Sequence, residues 1–392
     1  MDTIDASRMD DTLIDVPRGL TNVVVARTAL GDVRGHEGFY HYRQYSAVDL
    51  ARERTFEESW YLLLFGELPG LSELDRFRER IAASRGIPDE VERLLPGIAR
   101  TARGGDSLAP LRMALTALAA TDGLQPLYDA APEARVNAAI RIAAATPVLL
   151  ARLHAYATGQ EPRTARADLG HVANYLYLLT GAVPDEPHER ALSAYMTAAI
   201  DHGFNASTFS ARVIASTGAD LAAAVCGALG ALSGPLHGGA PSRALDALDE
   251  IGTPDRIDAW ARATVASGGR VMGFGHAVYR TEDPRSRMLR DFAAELGGPR
   301  VAFAMEAERR ILDVLAELKP GRELHTNVEF YAGVVMEQCG IPRSLFTPTF
   351  AAARVVGWTA HVLEQAADGK IVRPSSRYTG PEAPVPLRAR VA

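Results

Sequence analysis

Cysteine is scarce in this chain: only Cys226 and Cys339 occur in 392 residues, both in apolar surroundings and without a CxxC spacing. They read as reduced core residues of a cytoplasmic protein, which leaves a disulfide framework without a basis. Basic runs are lacking too. The net charge is −6, and no Lys/Arg stretch is long enough to suggest nucleic acid or an anionic membrane surface as partner. The three tryptophans and twelve tyrosines are scattered and do not alternate with basic residues. No stretch approaches the roughly 20 apolar residues of a membrane span. Met1 to Pro17 is acidic and polar, so it has no signal-peptide character and reads as disordered. Repeats are absent, as is low complexity beyond alanine richness. What remains is ordinary for a globular protein with a substantial core: 47% hydrophobic and 23% charged residues, in one large domain or two of usual size.

Weak alternation with glycines from Asn22 to Tyr45 predicts one or two short hairpins. Nearly everything after that has helical period. Ser72 is read as the cap of a helix with Leu74, Phe77 and Ile81 on one face, stopped by Gly86 and Pro88. A second helix carries Leu169, Val172, Tyr175, Leu176 and Leu179 before Gly181. Pro187 to His202 puts Leu192, Tyr195 and Ala199 on one stripe that ends at His202, with the next helix starting near Thr208. The helix from Asp220 is small-residue-rich on all sides, which suits a deep position or a subunit contact. Asp283-Pro284, Asn327 and Thr347-Pro348 each open a later helix. The tail from Ile371 is held extended by its prolines. The fold class is mainly α with a short N-terminal β element.

Four clusters carry chemistry. His237 lies in the turn Ser233 to Gly239, where three glycines and Pro235 break a long apolar helix. Taken alone this reads more readily as a helix C-cap than as a site. Gly273 to Arg280 contains His276 and runs into Asp283-Pro284-Arg285. Asn327-Val328-Glu329 places a carboxylate at the second position of a helix, where the dipole favours its ionised form and burial would act in the opposite direction. Phe350 and Arg354 are four residues apart on one helix face. Two histidines and a carboxylate can divide a proton transfer, the carboxylate as base and the histidines stabilising charge and polarising an electrophile. Arg285 and Arg354 offer planar forks for carboxylates, although ion pairing is an arginine's ordinary use. No HxH or HxxxH spacing supports a metal site, and GFG lacks the rest of a phosphate-binding fingerprint.

With these residues in place, the chain resembles the bacterial-type citrate synthases over roughly residues 20 to 380. The resemblance is carried by GFGHAVYRTEDPR from Gly273 to Arg285, by SGPLHGGA, NVEFY, and DHGFNASTF from Asp201, and by FAAARVVGW from Phe350. Tyr42-Arg43-Gln44-Tyr45 followed by Asp49-Leu50-Ala51 resembles the family as well, with Gln44 where a glycine is usual. The resemblance implies a citrate synthase fold: a large helical domain (21–238 and 341–392), a smaller inserted one (239–340) and a disordered N-terminus over 1–20. It implies a homodimer that closes on oxaloacetate and then uses acetyl-CoA, with no tightly bound cofactor. By motif position, His237 would stabilise the enolate of acetyl-CoA and His276 would polarise the oxaloacetate carbonyl. Oxaloacetate would meet His202, Arg285, Arg354, Phe350 and Arg373 donated from the partner subunit, while Arg280 would meet CoA phosphate.

At the base position the resemblance implies aspartate, and this chain has Glu329. The extra methylene is worth about 1.5 Å of reach. The leading expectation is citrate formation in the cytoplasm. A 2-methylcitrate synthase using propionyl-CoA and a weakly active binding or regulatory homologue are the alternatives.

Overall fold

The computed structural model describes residues 13–102, 108–235, 237, 241–275, 278–279 and 281–384. The chain divides into two compact units: Thr28–Lys370, and the chain ends Met1–Arg27 with Ile371–Ala392. In the second of these, Arg18–Leu20 forms a 3-10 turn and Arg377 lies 3.3 Å from Asp15. Residues 1–12 of the N-terminal stretch lie outside the described residues.

The larger unit opens with a three-stranded antiparallel sheet, β1 (Gly31–Arg34), β2 (Phe39–Tyr42) and β3 (Tyr45–Ser46), in the order β1-β2-β3. Gly31 pairs with Tyr42, which puts Tyr40 and Tyr42 on the buried face of β2. The hairpin expectation is met here, while Val23 to Val25 form no strand.

Helices follow. The first five are α1 (Ala47–Glu53), α2 (Phe56–Phe65), α3 (Leu71–Ala83), α4 (Asp89–Glu92) and α5 (Leu95–Ala99). Then come α6 (Leu108–Thr121), α7 (Pro132–Ala157), α8 (His171–Thr180), α9 (Glu186–Ala199), α10 (Ala206–Ala215) and α11 (Leu221–Leu232). The rest are α12 (Pro241–Ile251), α13 (Ile257–Ala266), α14 (Pro284–Leu296), α15 (Gly298–Leu318), α16 (Val328–Gln338) and α17 (Phe346–Asp368). The mainly α class with a minor β element is what the sequence predicts.

Several boundaries move, each for a local reason. Helix α3 starts after Gly70, not at Ser72, because the Glu73 carboxylate reaches back 2.8 Å to the Gly70 N–H. Its buried face is nonetheless Leu74, Phe77 and Ile81. Helix α8 starts at His171, leaving Leu169 outside. Helix α10 starts at Ala206, capped by Asn205. Helix α9 stops at Ala199, so His202 lies beyond it and not on its stripe.

Helix α17 runs through the core with apolar residues buried on all sides, among them Ala351, Val355, Val356, Trp358 and Val362. It packs against α7, α9, α10 and α11. Helix α7 overturns the expectation that no stretch is long and apolar enough for a membrane span: by length and composition it is. Alanines spread round all its faces give it that character, and 72% of its apolar window is buried in the fold, as befits a core helix. In α11, Leu221, Val225, Ala228, Leu229 and Leu232 are buried. Cys226 and Cys339 are free thiols.

Candidate active site

The end of α9 is set by side chains from distant elements. The last carbonyls of a helix have no partner within it. Here Tyr42 Oη lies 2.8 Å from the Thr197 carbonyl oxygen, Tyr40 Oη donates to Ala198 O at 3.1 Å, and Arg354 Nε donates to Ala199 O at 2.7 Å. Tyr42 Oη also accepts the Asp201 N–H at 3.1 Å. These bonds fix the turn that presents His202. Its Nε2 is 2.9 Å from Tyr279 Oη, and its ring meets those of Tyr40 and Tyr279 edge-on. Beneath it, buried Asp201 is 3.3 Å from His361 Nε2, and Arg212 contacts His361 Nδ1 at 3.1 Å and Gln365 at 3.0 Å. Arg212 is also paired with Glu364 at 2.5 Å.

The N-terminus of α10 holds His237. The imidazole Nε2 is 2.8 Å from Ser207 Oγ and 3.3 Å from the Ser207 N–H. Ser207 Oγ is also 2.7 Å from the Asn205 side-chain oxygen, which accepts the Thr208 N–H at 3.0 Å. With the hydroxyl proton on Asn205, Oγ accepts from Nε2–H. With the hydroxyl turned, Nε2 accepts both Ser207 donors and the Nδ1–H is left for a ligand. Burial, and then the nearby Arg354 charge, lower the His237 pKa below the ordinary value, which favours neutral imidazole. The His237 N–H bonds Gly234 O at 3.0 Å, so its backbone is held by the turn after α11.

A two-residue β-bridge brings the next two clusters together. Phe274 pairs with Thr326, Gly275 N–H donates to His325 O at 2.7 Å, and Asn327 N–H donates to Gly273 O at 2.9 Å. Gly273 and Gly275 have φ of 90° and 88°, a left-handed backbone that explains glycine on both sides of Phe274. Asn327 then caps α16, its side-chain oxygen accepting Glu329 N–H at 3.1 Å while its Nδ2 donates to Gly275 O at 2.9 Å. Glu329 is therefore at the second helical position, as expected. His276 and Arg280 lie outside the described residues; His276 directly follows the clamped Gly275 in sequence.

Asp283 is the element that sequence reasoning treated only as a cap. It does cap α14, but its carboxylate also accepts Arg285 Nε at 3.0 Å, Arg285 Nη2 at 2.9 Å and the Val328 N–H at 3.1 Å. One buried carboxylate thus joins the starts of α14 and α16 and aims Arg285. The guanidinium lies 5.9 Å from the Tyr40 ring centre and 5.7 Å from that of Tyr279. Burial works against its charge, yet Asp283 holds its pKa above the ordinary value. An Asp-Pro cap two residues before an arginine was the available signal; the bond to Val328 had none.

Arg354 is buried, with its guanidinium 4.7 Å from the Phe350 ring centre. Burial lowers its pKa. Among the described residues no carboxylate lies within ion-pair distance of it, so it is a buried cation suited to an incoming carboxylate. Arg354 acts electrostatically on His237, and Glu329, Arg354 and Arg285 together act on Tyr195 of α9. His202 and Arg285 both meet Tyr279, His237 sits on the start of α10, Glu329 on the start of α16, and Phe350 and Arg354 face each other within α17. Arg373 belongs to the other compact unit and is exposed there. A cavity of about 190 Å³ is lined by Gly275, Tyr279, Asp283, His325 and Thr326 among others. A larger one of about 530 Å³, between α1, α3 and α9, is lined by none of the candidate residues.

Comparison with known proteins points to one family. The family described as "Citrate synthase, C-terminal domain" matches residues 19–375. A citrate synthase of Deinococcus radiodurans is 36% identical over 371 residues, covering 93% of this chain and 96% of the relative. One from Haloferax volcanii is 38% identical over 370 residues, covering 93% and 96%. The solved citrate synthase of Thermoplasma acidophilum, in ternary complex with carboxymethyl coenzyme A and oxaloacetate, superposes with a TM-score of 0.86 at 27% identity, covering 95% of this chain and 98% of that one. The sequence resemblance and the helical architecture lead to one conclusion: this chain belongs to the citrate synthase family.

Proposed function

We propose that this chain condenses acetyl-CoA with oxaloacetate and hydrolyses the citryl thioester to citrate and CoA, with His237, His276 and Glu329 as its catalytic residues. The observation that carries the assignment of roles is the buried Arg354, with no carboxylate within ion-pair range among the described residues, whose charge together with burial lowers the pKa of His237, while Asn327 caps the helix that carries Glu329 at its second position. Glu329 takes a proton from the acetyl methyl group. The positive end of α16 favours its ionised state. Neutral His237 donates from Nδ1 to the thioester oxygen as negative charge develops, its Nε2 held by Ser207. Such donors are typically worth about 10²–10³ in rate. His276 polarises the oxaloacetate ketone. The enolate carbon attacks that carbonyl carbon, the new alkoxide takes its proton from His276, and water then attacks the thioester carbonyl and releases CoA as the free thiol.

Arg285, Arg354 and His202 bind the oxaloacetate carboxylates, and Phe350 packs on the substrate. The enzyme acts as a homodimer in which Arg373 reaches the partner's site, and Arg280 meets CoA phosphate. Residues 239–340 form a smaller domain that closes over the cleft, with the remaining helices as the larger one. Glu329 fills the place of the aspartate usual in the family. Its helix start, clamped to Gly273 and Gly275, sets where the longer side chain reaches. The free cysteines suit a cytoplasmic setting.

Release of free CoA from acetyl-CoA and, separately, propionyl-CoA in the presence of oxaloacetate tests the reading. The expected result is turnover with a preference for acetyl-CoA. Preference for propionyl-CoA would make the product 2-methylcitrate, and no release from either would contradict enzymatic function. Mixed dimers of Arg373→Ala subunits with His276→Ala subunits test the shared site. Recovered activity on demonstrated subunit exchange is expected; none would place Arg373 outside it.

A further inference from the structure

Tyr195 is a buried residue of α9, the helix that packs on three of the helices carrying candidate site residues. The residue is only 1% exposed, and its hydroxyl has no hydrogen-bond partner among the described residues. A buried hydroxyl without a partner costs about 1–3 kcal/mol, so this donor gains most from an acceptor brought within reach. Helix α9 packs on α14, α16 and α17, the helices that carry Arg285, Glu329 and Arg354. Those three side chains are the charges acting most strongly on the phenol, with Tyr175 of α8 the other titratable neighbour. Burial and Glu329 both hold the phenol in its protonated form. Arginine side chains only donate hydrogen bonds. Of the three charged neighbours, Glu329 alone can accept the proton of the phenol. Neighbouring Tyr175 differs: its hydroxyl is 2.9 Å from Thr349 Oγ1.

We propose that Tyr195 is a positioning residue for Glu329, its hydroxyl donating a hydrogen bond to one carboxylate oxygen when the substrates fill the site and leaving the other oxygen aimed at the methyl proton. The inference rests on Glu329 being the base. A glutamate has one more rotatable bond than an aspartate, and an anchor on one oxygen removes the freedom that bond adds. The donated bond also lowers the basicity of the carboxylate slightly. The gain in orientation outweighs it.

The test compares the wild type, Tyr195→Phe and Tyr175→Phe as full-length proteins, measuring CoA release, oxaloacetate KM and Tm. Loss of a hydrogen bond to a charged group predicts that Tyr195→Phe lowers kcat roughly 10- to 100-fold. Oxaloacetate KM should stay within about two-fold, since no substrate ligand is lost. Tm should not fall, because the removed hydroxyl had no structural partner. Tyr175→Phe, which loses its bond to Thr349, should show the opposite pattern: a lower Tm with kcat within about two-fold. Unchanged kcat in Tyr195→Phe would overturn the proposal. So would a raised oxaloacetate KM at constant kcat, which would make the phenol a substrate ligand. A fall in Tm together with activity would make it structural. Absence of CoA release by the wild type would instead refute the functional reading beneath it.

Discussion

Gly357 is where the packing that supports the site can be tested most sharply. It lies on α17 against the turn after α9, and a Cβ there would sit 2.0 Å from the Ile200 carbonyl oxygen and 3.0 Å from its carbon. Ordinary contact begins at 3.4 Å, so Gly357→Ala requires the two backbones to part by 3.4 − 2.0 = 1.4 Å. The obstacle is backbone, which cannot rotate away. Alanine favours the helix by about 1 kcal/mol, and overpacking a core costs about 1–3 kcal/mol, so the net change in stability is a modest loss. Activity should suffer more. The displaced segment carries His202, and the Ala199 carbonyl just before it is bound by Arg354 at 2.7 Å. Misplacement of about 1 Å at a reacting centre costs ~10²-fold. The expected result is therefore kcat/KM for oxaloacetate lowered about 100-fold with a small drop in Tm. Wild-type kcat/KM in a folded Gly357→Ala protein would refute the claim that the α17 contact sets the positions of His202 and Arg354.

Three further outcomes follow from the same geometry. Ser207→Ala removes the hydroxyl at His237 Nε2, and one hydrogen bond of about 1 kcal/mol predicts a roughly five-fold lower kcat at near-constant Tm; steady-state kinetics decide it. Asp283→Asn leaves the Arg285 guanidinium, whose side chain is 6% exposed, as a buried cation without its carboxylate. Breaking a buried pair costs about 3–5 kcal/mol, so a large loss of stability by urea unfolding and a raised oxaloacetate KM are expected. His171, buried against Phe56 with ring centres 5.3 Å apart, has its pKa lowered to about 3 by burial and then by Arg85. The unfolded chain, with a histidine pKa of about 6.5, binds this proton more readily, so stability is full above that pH and is lost as pH falls toward 3. At pH 5 the loss is about 1.36 × 1.5, or ~2 kcal/mol, and His171→Phe should remove that part of the slope in urea titrations at several pH values.

Helix starts with local chemistry were legible in the sequence. Asp283 before Pro284 and Asn327 before Glu329 cap the helices they were expected to cap, because a cap bond spans two or three residues. The end of α9 was not legible, since it is made by Tyr40, Tyr42 and Arg354, each more than a hundred residues from the carbonyls it serves. His202 was accordingly read as the last residue of a helical stripe when it sits on a pinned turn. Helix α7 escaped notice because alanines on all its faces blur the period that marks a half-buried helix. The second role of Asp283 was hidden for the same reason as the α9 end: its bond to Val328 crosses 45 residues. The motifs carried the identities of the candidate residues, and long-range hydrogen bonds set how they are held.

The central claim, that Glu329 removes the proton, is tested by Glu329→Gln. Glutamine keeps the shape of the side chain and its place at the second position of α16, but cannot accept the methyl proton. CoA release from acetyl-CoA with oxaloacetate should fall by about 10²–10⁴, while oxaloacetate affinity, measured by calorimetry, stays close to the wild type. A Glu329→Gln protein that keeps most of its turnover would contradict the assignment of the base.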